Sequence, residues 1–188
     1  HIGTEDGGGV TRVGDHNLLM VGAHIAHDCE VRDHVILANN VLLAGHVTVE
    51  EWVVISGAAA SHHYVTFGPH SFVGGLSGIT RDVPPFMIVD GHPGIIRGVN
   101  RTGLKRRGFS DDQLEALKAA YRLLFRDTTP FSTQALELQR LYPNNKEIQT
   151  LLTFMRDAGN GRYGRAREVQ RGKKTWDEDE EHQHVTGN

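Results

Sequence analysis

Residues 21–49 read VGAHIAHDCEVRDHVILANNVLLAGHVTV, and every sixth residue of this stretch, counted from Ile25, is large and apolar. The same spacing runs from Val13 to Ile79, where eleven of twelve positions are large and apolar and Ser61 is the exception. A second column of mostly small or β-branched residues lies four positions after the first. Neither the helical period of 3.6 residues nor simple strand alternation gives this pattern.

A six-residue repeat of this kind predicts a left-handed parallel β-helix. Each hexad supplies one short strand and one corner, and three hexads close a triangular coil of about 18 residues. The twelve hexads therefore predict about four coils, with the large residues inside. A β-sandwich of short strands is the alternative, but that fold needs turn signals every 8–12 residues or so rather than this constant period.

The chain divides into segments of different composition. We expect the β-helix over 1–85, because the prolines of Asp82-Val-Pro-Pro85 end the sheet ladders, and an extended linker over 86–108. A small helical domain follows over 109–157, and the tail, 158–188, is Gly- and Arg/Lys-rich and then acidic. Such charge blocks favour a solvated, disordered tail.

Three amphipathic helices are predicted in the helical domain. The first begins with a capping box of Ser110 and Gln113 and ends before Pro130. A second runs from Ser132 to about Leu141, and a third carries apolar residues from Ile148 onward. We expect this small bundle to pack against the end of the β-helix, since its apolar faces need a partner.

Composition narrows the classes of partner. A net charge of -3 with both signs interspersed does not indicate nucleic acid binding. The single cysteine, Cys29, lies in the small-residue column, which predicts core packing, and its isolation fits a reducing, cytoplasmic compartment. No apolar run is long enough for a transmembrane segment. The chain starts at His1 in mid-repeat, so we expect the N-terminal coils of a longer protein to be missing.

Histidines concentrate on one predicted corner. Stacking at 18 residues puts His27, Gly45 and His63 on one line along the prism. Asp28 and His46 fall on the next line. His62 lies on the line before, and His24 lies just around the turn from His27. Residues 3–9 form a glycine-rich loop, which we interpret as a loop extruded from a corner because no helix follows to complete a phosphate cradle.

Two chemistries remain open for this corner. Three imidazoles could hold zinc with one open position, as in a zinc-dependent γ-carbonic-anhydrase-like hydratase. Alternatively, one imidazole could act as a metal-free general base on a hydroxyl. Asp28 directly follows His27, and Gly45 could expose a backbone N–H to an oxyanion, which favours the second chemistry. A β-helix used only for assembly is a third interpretation.

Several stretches together resemble a known family. They are Val21-Gly-Ala-His-Ile-Ala-His-Asp-Cys29, Leu37-Ala-Asn-Asn40, Leu43-Ala-Gly-His-Val47, Val73-Gly-Gly75 and Gly103-Leu-Lys-Arg-Arg-Gly-Phe-Ser110. Over residues 1 to about 155 the chain closely resembles the acyl-[acyl-carrier-protein]–UDP-N-acetylglucosamine O-acyltransferase family. The resemblance implies transfer of an (R)-3-hydroxyacyl group from acyl carrier protein to the sugar 3-hydroxyl, the first step of lipid A biosynthesis. It also implies a homotrimer with sites between neighbouring β-helices, and no cofactor or metal.

The resemblance assigns roles to individual residues. His27 would be the general base, Asp28 its partner and Gly45 the oxyanion donor. Substrate-binding roles fall on His1, His24, His46, His62, His63, Gly75, Asn100, Arg106 and Arg107. Of these, Asn100, Arg106 and Arg107 would bind UDP. Gly75 matches the family's acyl-chain ruler, where glycine leaves room for a long chain and a bulky residue shortens it.

The sequence also departs from the family pattern. His63 stands where the family usually has glutamine, Pro93 where it has histidine, and Thr102 where it has glutamate. These departures leave a 3-amino sugar nucleotide open as the acceptor. The basic side chains of Lys105, Arg106 and Arg107, or Arg122 and Arg126 further on, would suit docking of an acidic acyl carrier protein.

Overall fold

Twelve two-residue strands, each starting six residues after the last, form the first half of the computed structural model, which describes residues 3–4 and 8–160. They are β1 Arg12–Val13, β2 Leu18–Leu19, β3 His24–Ile25, β4 Glu30–Val31, β5 Ile36–Leu37, β6 Leu42–Leu43, β7 Thr48–Val49, β8 Val54–Ile55, β9 Ala60–Ser61, β10 Thr66–Phe67, β11 Phe72–Val73 and β12 Gly78–Ile79.

Parallel pairing at a register of 18 residues joins these strands into three sheets. The first sheet has the order β1-β4-β7-β10, the second contains β2-β5-β8-β11 and the third has the order β3-β6-β9-β12. Val31, for example, pairs with Val49 on the next coil. The architecture is a left-handed parallel β-helix of about four coils followed by helices, which confirms the fold predicted from the hexad period.

The second residue of each strand points into the prism. The large column from Val31 to Val73 is almost wholly inaccessible to solvent except at Ser61, and the small column from Cys29 to Val65 is buried beside it. The Cys29 thiol donates to the carbonyl of Ala44 at 3.1 Å, and burial raises its pKa. Cys29 is therefore a core residue, as the repeat predicts.

The corners of the prism share an unusual backbone conformation. Ten non-glycine residues, from His16 to Leu76 at six-residue steps, have φ between 57° and 63°, and Gly22 occupies the remaining step. We name the corners by their residues: the aromatic corner (15–16, 33–34, 51–52, 69–70), the small-residue corner (21–22, 39–40, 57–58, 75–76) and the histidine corner (27–28, 45–46, 63–64). Left-handed backbone disfavours L-residues by about 1–2 kcal/mol each, so packing between coils must offset this cost.

Residues 86–108 differ from the expected extended linker. Strand β13 (Met87–Asp90) pairs in parallel with β11 and so continues the second sheet, and β14 (Ile95–Val99) pairs antiparallel with β13. A short helix, α1 (Arg101–Arg106), follows. The expectation was wrong because the free edge of the second sheet can accept one more strand after the prolines.

Three longer helices complete the described chain: α2 (Asp111–Arg126), α3 (Phe131–Leu141) and α4 (Lys146–Gly159). The capping box of Ser110 and Gln113 is present as predicted. Helix α3 begins one residue earlier than expected, after Pro130, which provides no side-chain cap. Helix α4 runs two residues past the expected boundary at 157, and the remainder of the 158–188 tail beyond residue 160 lies outside the described residues.

The helices pack where we expected, on the end of the β-helix. Their apolar faces form a second core with Phe86 and Met87, and Ile96 packs against both cores. The hydroxyl of Tyr121 donates to the carbonyl of Arg97 at 3.1 Å. Among the described residues, none of the helices has the length and apolar character needed to cross a membrane.

Leu43 and Leu42 are adjacent in β6 and give a matched test of the prism core, because Leu43 is 1% exposed and Leu42 is 50% exposed. We expect Leu43→Ala to lower the free energy of unfolding by about 2–5 kcal/mol, through lost burial and the cavity left behind. Leu42→Ala should change it much less. Chemical denaturation followed by circular dichroism measures both, and equal losses would contradict the inward assignment of Leu43.

Candidate active site

The histidine corner brings an imidazole, a carboxylate and the peptide group of a glycine together on two successive coils. His27 Nδ1 lies 2.8 Å from Asp28 Oδ2, and the imidazole remains 38% exposed. The His27 ring lies close against Gly45. A Cβ added to Gly45 would be 2.5 Å from Cε1 and 2.6 Å from Nε2 of His27. Only glycine therefore permits this ring position. Within the described residues, no backbone hydrogen bond uses the Gly45 N–H.

Asp28 is held by two threonines. The Thr4 amide donates to both carboxylate oxygens at 2.9 and 3.0 Å, and the Thr4 hydroxyl donates to Oδ2 at 2.6 Å. The Asp28 amide donates to the hydroxyl of Thr11 at 2.8 Å. Burial by itself raises the pKa of Asp28, but the hydrogen bonds from Thr4 and His27, with the nearby charge of His46, lower it to about 2. Asp28 is thus a carboxylate at any neutral pH.

A second ring lies directly above Asp28. His46 Nε2 is 4.0 Å from Asp28 Oδ2, and the ring meets that of His27 edge-on with centroids 5.1 Å apart. Tyr64 stacks on the other face of His46, with centroids 4.5 Å apart and planes 6° from parallel. Asp28, His46 and Tyr64 form one column, each 18 residues after the last.

Sequence reasoning missed Tyr64, Thr4 and Thr11. The 18-residue spacing from His46 was the signal that could have found Tyr64. Thr4 has no such signal, because it lies in the loop before the repeat becomes regular.

The other expected histidines lie around this centre at different places. His62 and His63 meet edge-on with centroids 5.2 Å apart, and His62 Nδ1 lies 3.3 Å from the carbonyl of His63. His24 occupies the outward position of β3 and is exposed. His1 lies outside the described residues.

Two of the residues expected to bind UDP, Asn100 and Arg107, pack against the aromatic corner instead. Rings stack along it in the order His16, His34, Trp52, His70 and Phe86, with the closest pair, His34 and Trp52, at 4.0 Å. The Arg107 guanidinium lies 5.2 Å from the centre of the Trp52 ring. Asn100 is buried: its amide nitrogen donates to the carbonyl of His70 and its amide oxygen caps α1 at Gly103.

Gly75 lies on the third corner. A Cβ added there would meet its nearest neighbour, the carbonyl of Gly57, at an ordinary 3.4 Å, so the position is open to larger side chains. Arg106 is exposed at the end of α1. Within one chain, therefore, His27 and Gly75 lie on two different corners of the prism, and Asn100 and Arg107 pack against the third.

The histidine corner also contains atoms that suit a metal ion. Histidine nitrogens of His27 and His46 and an oxygen of Asp28 lie within 4.8 Å of one another. His62 and His63 are not in this group, so the three-imidazole zinc site that we considered is not assembled among the described residues.

The fold and this site define a class: a left-handed β-helix protein with a histidine–carboxylate pair on one corner and a helical C-terminal domain. The family described as Udp N-acetylglucosamine O-acyltransferase, Domain 2, matches residues 82–164. The structure of LpxA from Acinetobacter baumannii is 37% identical over 81% of this chain, with a TM-score of 0.77. UDP-N-acetylglucosamine O-acyltransferase (LpxA) from Moraxella catarrhalis is 40% identical over 85% of it, with a TM-score of 0.79.

The Arabidopsis UDP-N-acetylglucosamine acyltransferase is 40% identical over 78% of the chain, with a TM-score of 0.74. The chain belongs to the UDP-N-acetylglucosamine O-acyltransferase family. It spans 59%, 61% and 53% of the Acinetobacter, Moraxella and Arabidopsis proteins, respectively.

His70 gives a test of the packing at the aromatic corner. Burial, and secondarily the charge of Arg107, lower the pKa of His70 to about 4. The unfolded chain, with a histidine pKa of about 6.5, binds a proton over a range where the folded chain does not. This residue therefore makes the free energy of unfolding fall as the pH drops from about 6.5 to about 4.

We expect His70→Phe to reduce that fall, because phenylalanine keeps the ring stack and removes the proton site. Phe86 already shows that phenylalanine is accepted in left-handed backbone on this ladder. Urea unfolding at a series of pH values measures the slope, and Trp52→Phe is the control that changes a ring but no titratable group. The same slope in His70→Phe and wild type would contradict the assignment.

Proposed function

We propose that this chain carries the catalytic centre of an O-acyltransferase that moves an (R)-3-hydroxyacyl group from acyl carrier protein to the 3-hydroxyl of UDP-N-acetylglucosamine. The reaction would be the first step of lipid A biosynthesis and would take place in the cytoplasm. The observation that supports this most is the His27–Asp28 pair, 2.8 Å apart and packed on Gly45, in a chain of this family.

The base chemistry follows from the tautomer that Asp28 favours. Because the carboxylate lies beside His27 Nδ1, that nitrogen carries the ring proton and donates a hydrogen bond to Asp28. The free lone pair of the neutral ring is then on Nε2. Nε2 accepts the proton of the sugar hydroxyl as the oxygen forms its bond to the thioester carbonyl carbon. The developing imidazolium is stabilised by the negative charge of Asp28.

The second half of the reaction returns the proton. The tetrahedral oxyanion accepts a hydrogen bond from the Gly45 N–H, to which no backbone carbonyl in the described part of the chain is bonded. Collapse of this intermediate forms the ester, breaks the carbon–sulfur bond and expels the carrier thiolate, which takes the proton from His27. No metal and no covalent enzyme intermediate takes part in this scheme.

The substrate would be bound between protomers of a homotrimer. The expected UDP-binding and acyl-chain positions lie on corners other than the one with His27, so the neighbouring β-helix would supply them. The outward face of the second sheet supports such an assembly, because four successive coils present Leu18, Ile36, Val54 and Phe72 there. The first sheet has Arg12, Glu30, Thr48 and Thr66 at the same positions, of which Thr66 is buried.

Acceptor and carrier would be recognised by separate charged groups. Arg107, half-buried over Trp52, and the exposed Arg106 suit the diphosphate of the sugar nucleotide. The exposed Arg122 and Arg126 of α2 suit the acidic carrier. A 3-amino sugar nucleotide would lose its proton to the same base and give an amide, whereas the 3-hydroxy sugar gives an ester. The product therefore identifies the acceptor.

His27→Ala is expected to lower kcat by about 10²–10⁴-fold, the usual contribution of a general base. The assay follows the mass of the product formed from UDP-N-acetylglucosamine, or its 3-amino analogue, and 3-hydroxyacyl carrier proteins of several chain lengths. His16→Ala removes an exposed corner histidine that stacks on His34 and lies two rings away from Trp52, and this matched control should retain activity. Near-normal turnover by His27→Ala would refute the base assignment.

Assembly can be tested on the second sheet. Val54→Lys puts a charge in the middle of the apolar outward face and should convert the trimer to a monomer, because an unpaired charge is costly to bury. Thr48→Lys, at the equivalent outward position of the first sheet, is the control and should leave the trimer intact. Light scattering after size-exclusion chromatography gives the masses, and a monomeric wild type or a trimeric Val54→Lys would contradict the proposal.

A further inference from the structure

The histidine corner holds three side chains whose donor atoms are of the kind that bind transition metal ions. We propose that His27, Asp28 and His46 form a site for a divalent transition metal ion such as Zn²⁺, and that the bound ion switches the general base off. The binding part of this proposal rests on the geometry of the three side chains. The inhibition part rests also on the function proposed above.

The separations of the donor atoms fit such an ion. Zinc binds imidazole nitrogen and carboxylate oxygen at about 2.0–2.2 Å, so two ligands of a tetrahedral site lie about 3.3 Å apart. Asp28 Oδ2 lies 2.8 Å from His27 Nδ1 and 4.0 Å from His46 Nε2, on either side of that value. The three donor atoms lie within 4.8 Å of one another, and small side-chain rotations bring them to ligand distance.

The ligands are held in place before any ion arrives. Thr4 fixes the Asp28 carboxylate through three hydrogen bonds, and Tyr64 stacks on His46 at 4.5 Å. The side chains of Asp28 and His46 are 1% and 13% exposed, whereas that of His27 is 38% exposed. An ion would therefore reach the site past His27 and keep an open fourth position on the solvent side.

The donor set selects the kind of metal. Two imidazoles and one carboxylate suit zinc, cobalt, nickel or copper, whereas magnesium and calcium prefer sites made of oxygen atoms. With three protein ligands and one open position, the site has the ligand count of a catalytic rather than a structural zinc site.

A bound metal ion would prevent His27 from acting as a base, because it would fix the ring in the wrong tautomer. A metal ion coordinated at Nδ1 takes the place of the proton through which Nδ1 hydrogen-bonds to Asp28. A neutral ring must then carry its single proton on Nε2. Nε2 is the atom that accepts the hydroxyl proton in the proposed reaction, so the metal-bound ring cannot act as a base. The expected result is loss of kcat in proportion to occupancy, reversed by a chelator.

Cobalt reports the site directly. We expect Co²⁺ added to the full chain to give the intense visible absorption bands of a four-coordinate site, saturating at one ion per protomer and displaced by Zn²⁺. His46→Ala should weaken Zn²⁺ binding, measured calorimetrically, by more than about 10-fold, as losing a ligand costs at least as much as losing an outer-shell partner. His34→Ala, which removes a histidine of the aromatic corner, should bind as wild type does.

Two outcomes would overturn the metal site: no four-coordinate cobalt spectrum in wild type, or equal Zn²⁺ affinity in His46→Ala and His34→Ala. The second outcome would mean that ions bind adventitiously among the twelve histidines of the chain. The proposed function fails separately, since it requires product formation in metal-free buffer. Acyl transfer without a cobalt spectrum would support the proposed function and refute the metal site. A cobalt spectrum without acyl transfer would support the metal site and refute the proposed function.

Discussion

The 18-residue register of the parallel ladders is the constraint on which everything else in this molecule depends. It puts Val31 on Val49 in the core, and by the same geometry it puts the His27 ring on Gly45 and His46 on Asp28. The corner bonds keep the register, as when the His46 amide donates to the carbonyl of His27 at 3.0 Å. A slip of one residue would turn the large column outward and separate all these pairs, so burial of the core and assembly of the site are stabilised together.

The corners add a second constraint, because their turn residues adopt left-handed backbone. Glycine would adopt it most easily, yet the chain uses large or functional side chains there, including Asp28, His46 and Tyr64 at the histidine corner. Stacking between coils offsets part of the conformational cost, through His46 on Tyr64 and the ladder from His16 to Phe86. The result is a rigid column, which suits a carboxylate and an imidazole that must keep a fixed separation.

The features that follow from the six-residue repeat could be predicted from the sequence, and the features outside the repeat could not. The hexads predicted the coils, the buried columns and the line that joins His27 to Gly45, because all three follow from a single repeat length. The period has no bearing on Thr4, which folds onto Asp28 from the irregular loop. It also ends before the hairpin of β13 and β14, whose pairing depends on the free edge of the second sheet. Burial of Asn100 and His70 depends on how the helices close that end.

The division of residues among the corners bears on how such an enzyme would be assembled. The proposed general base, its carboxylate and the proposed oxyanion donor are all contributed by one chain, within two coils of each other. Arg107 packs against the aromatic corner and Gly75 lies on the small-residue corner, and a rigid prism cannot bring its own corners together. If they serve the same substrate, they must do so across a boundary between protomers. In an assembly of that kind, dissociation would leave the side chains of the histidine corner intact in each protomer while separating them from the groups that bind the substrate.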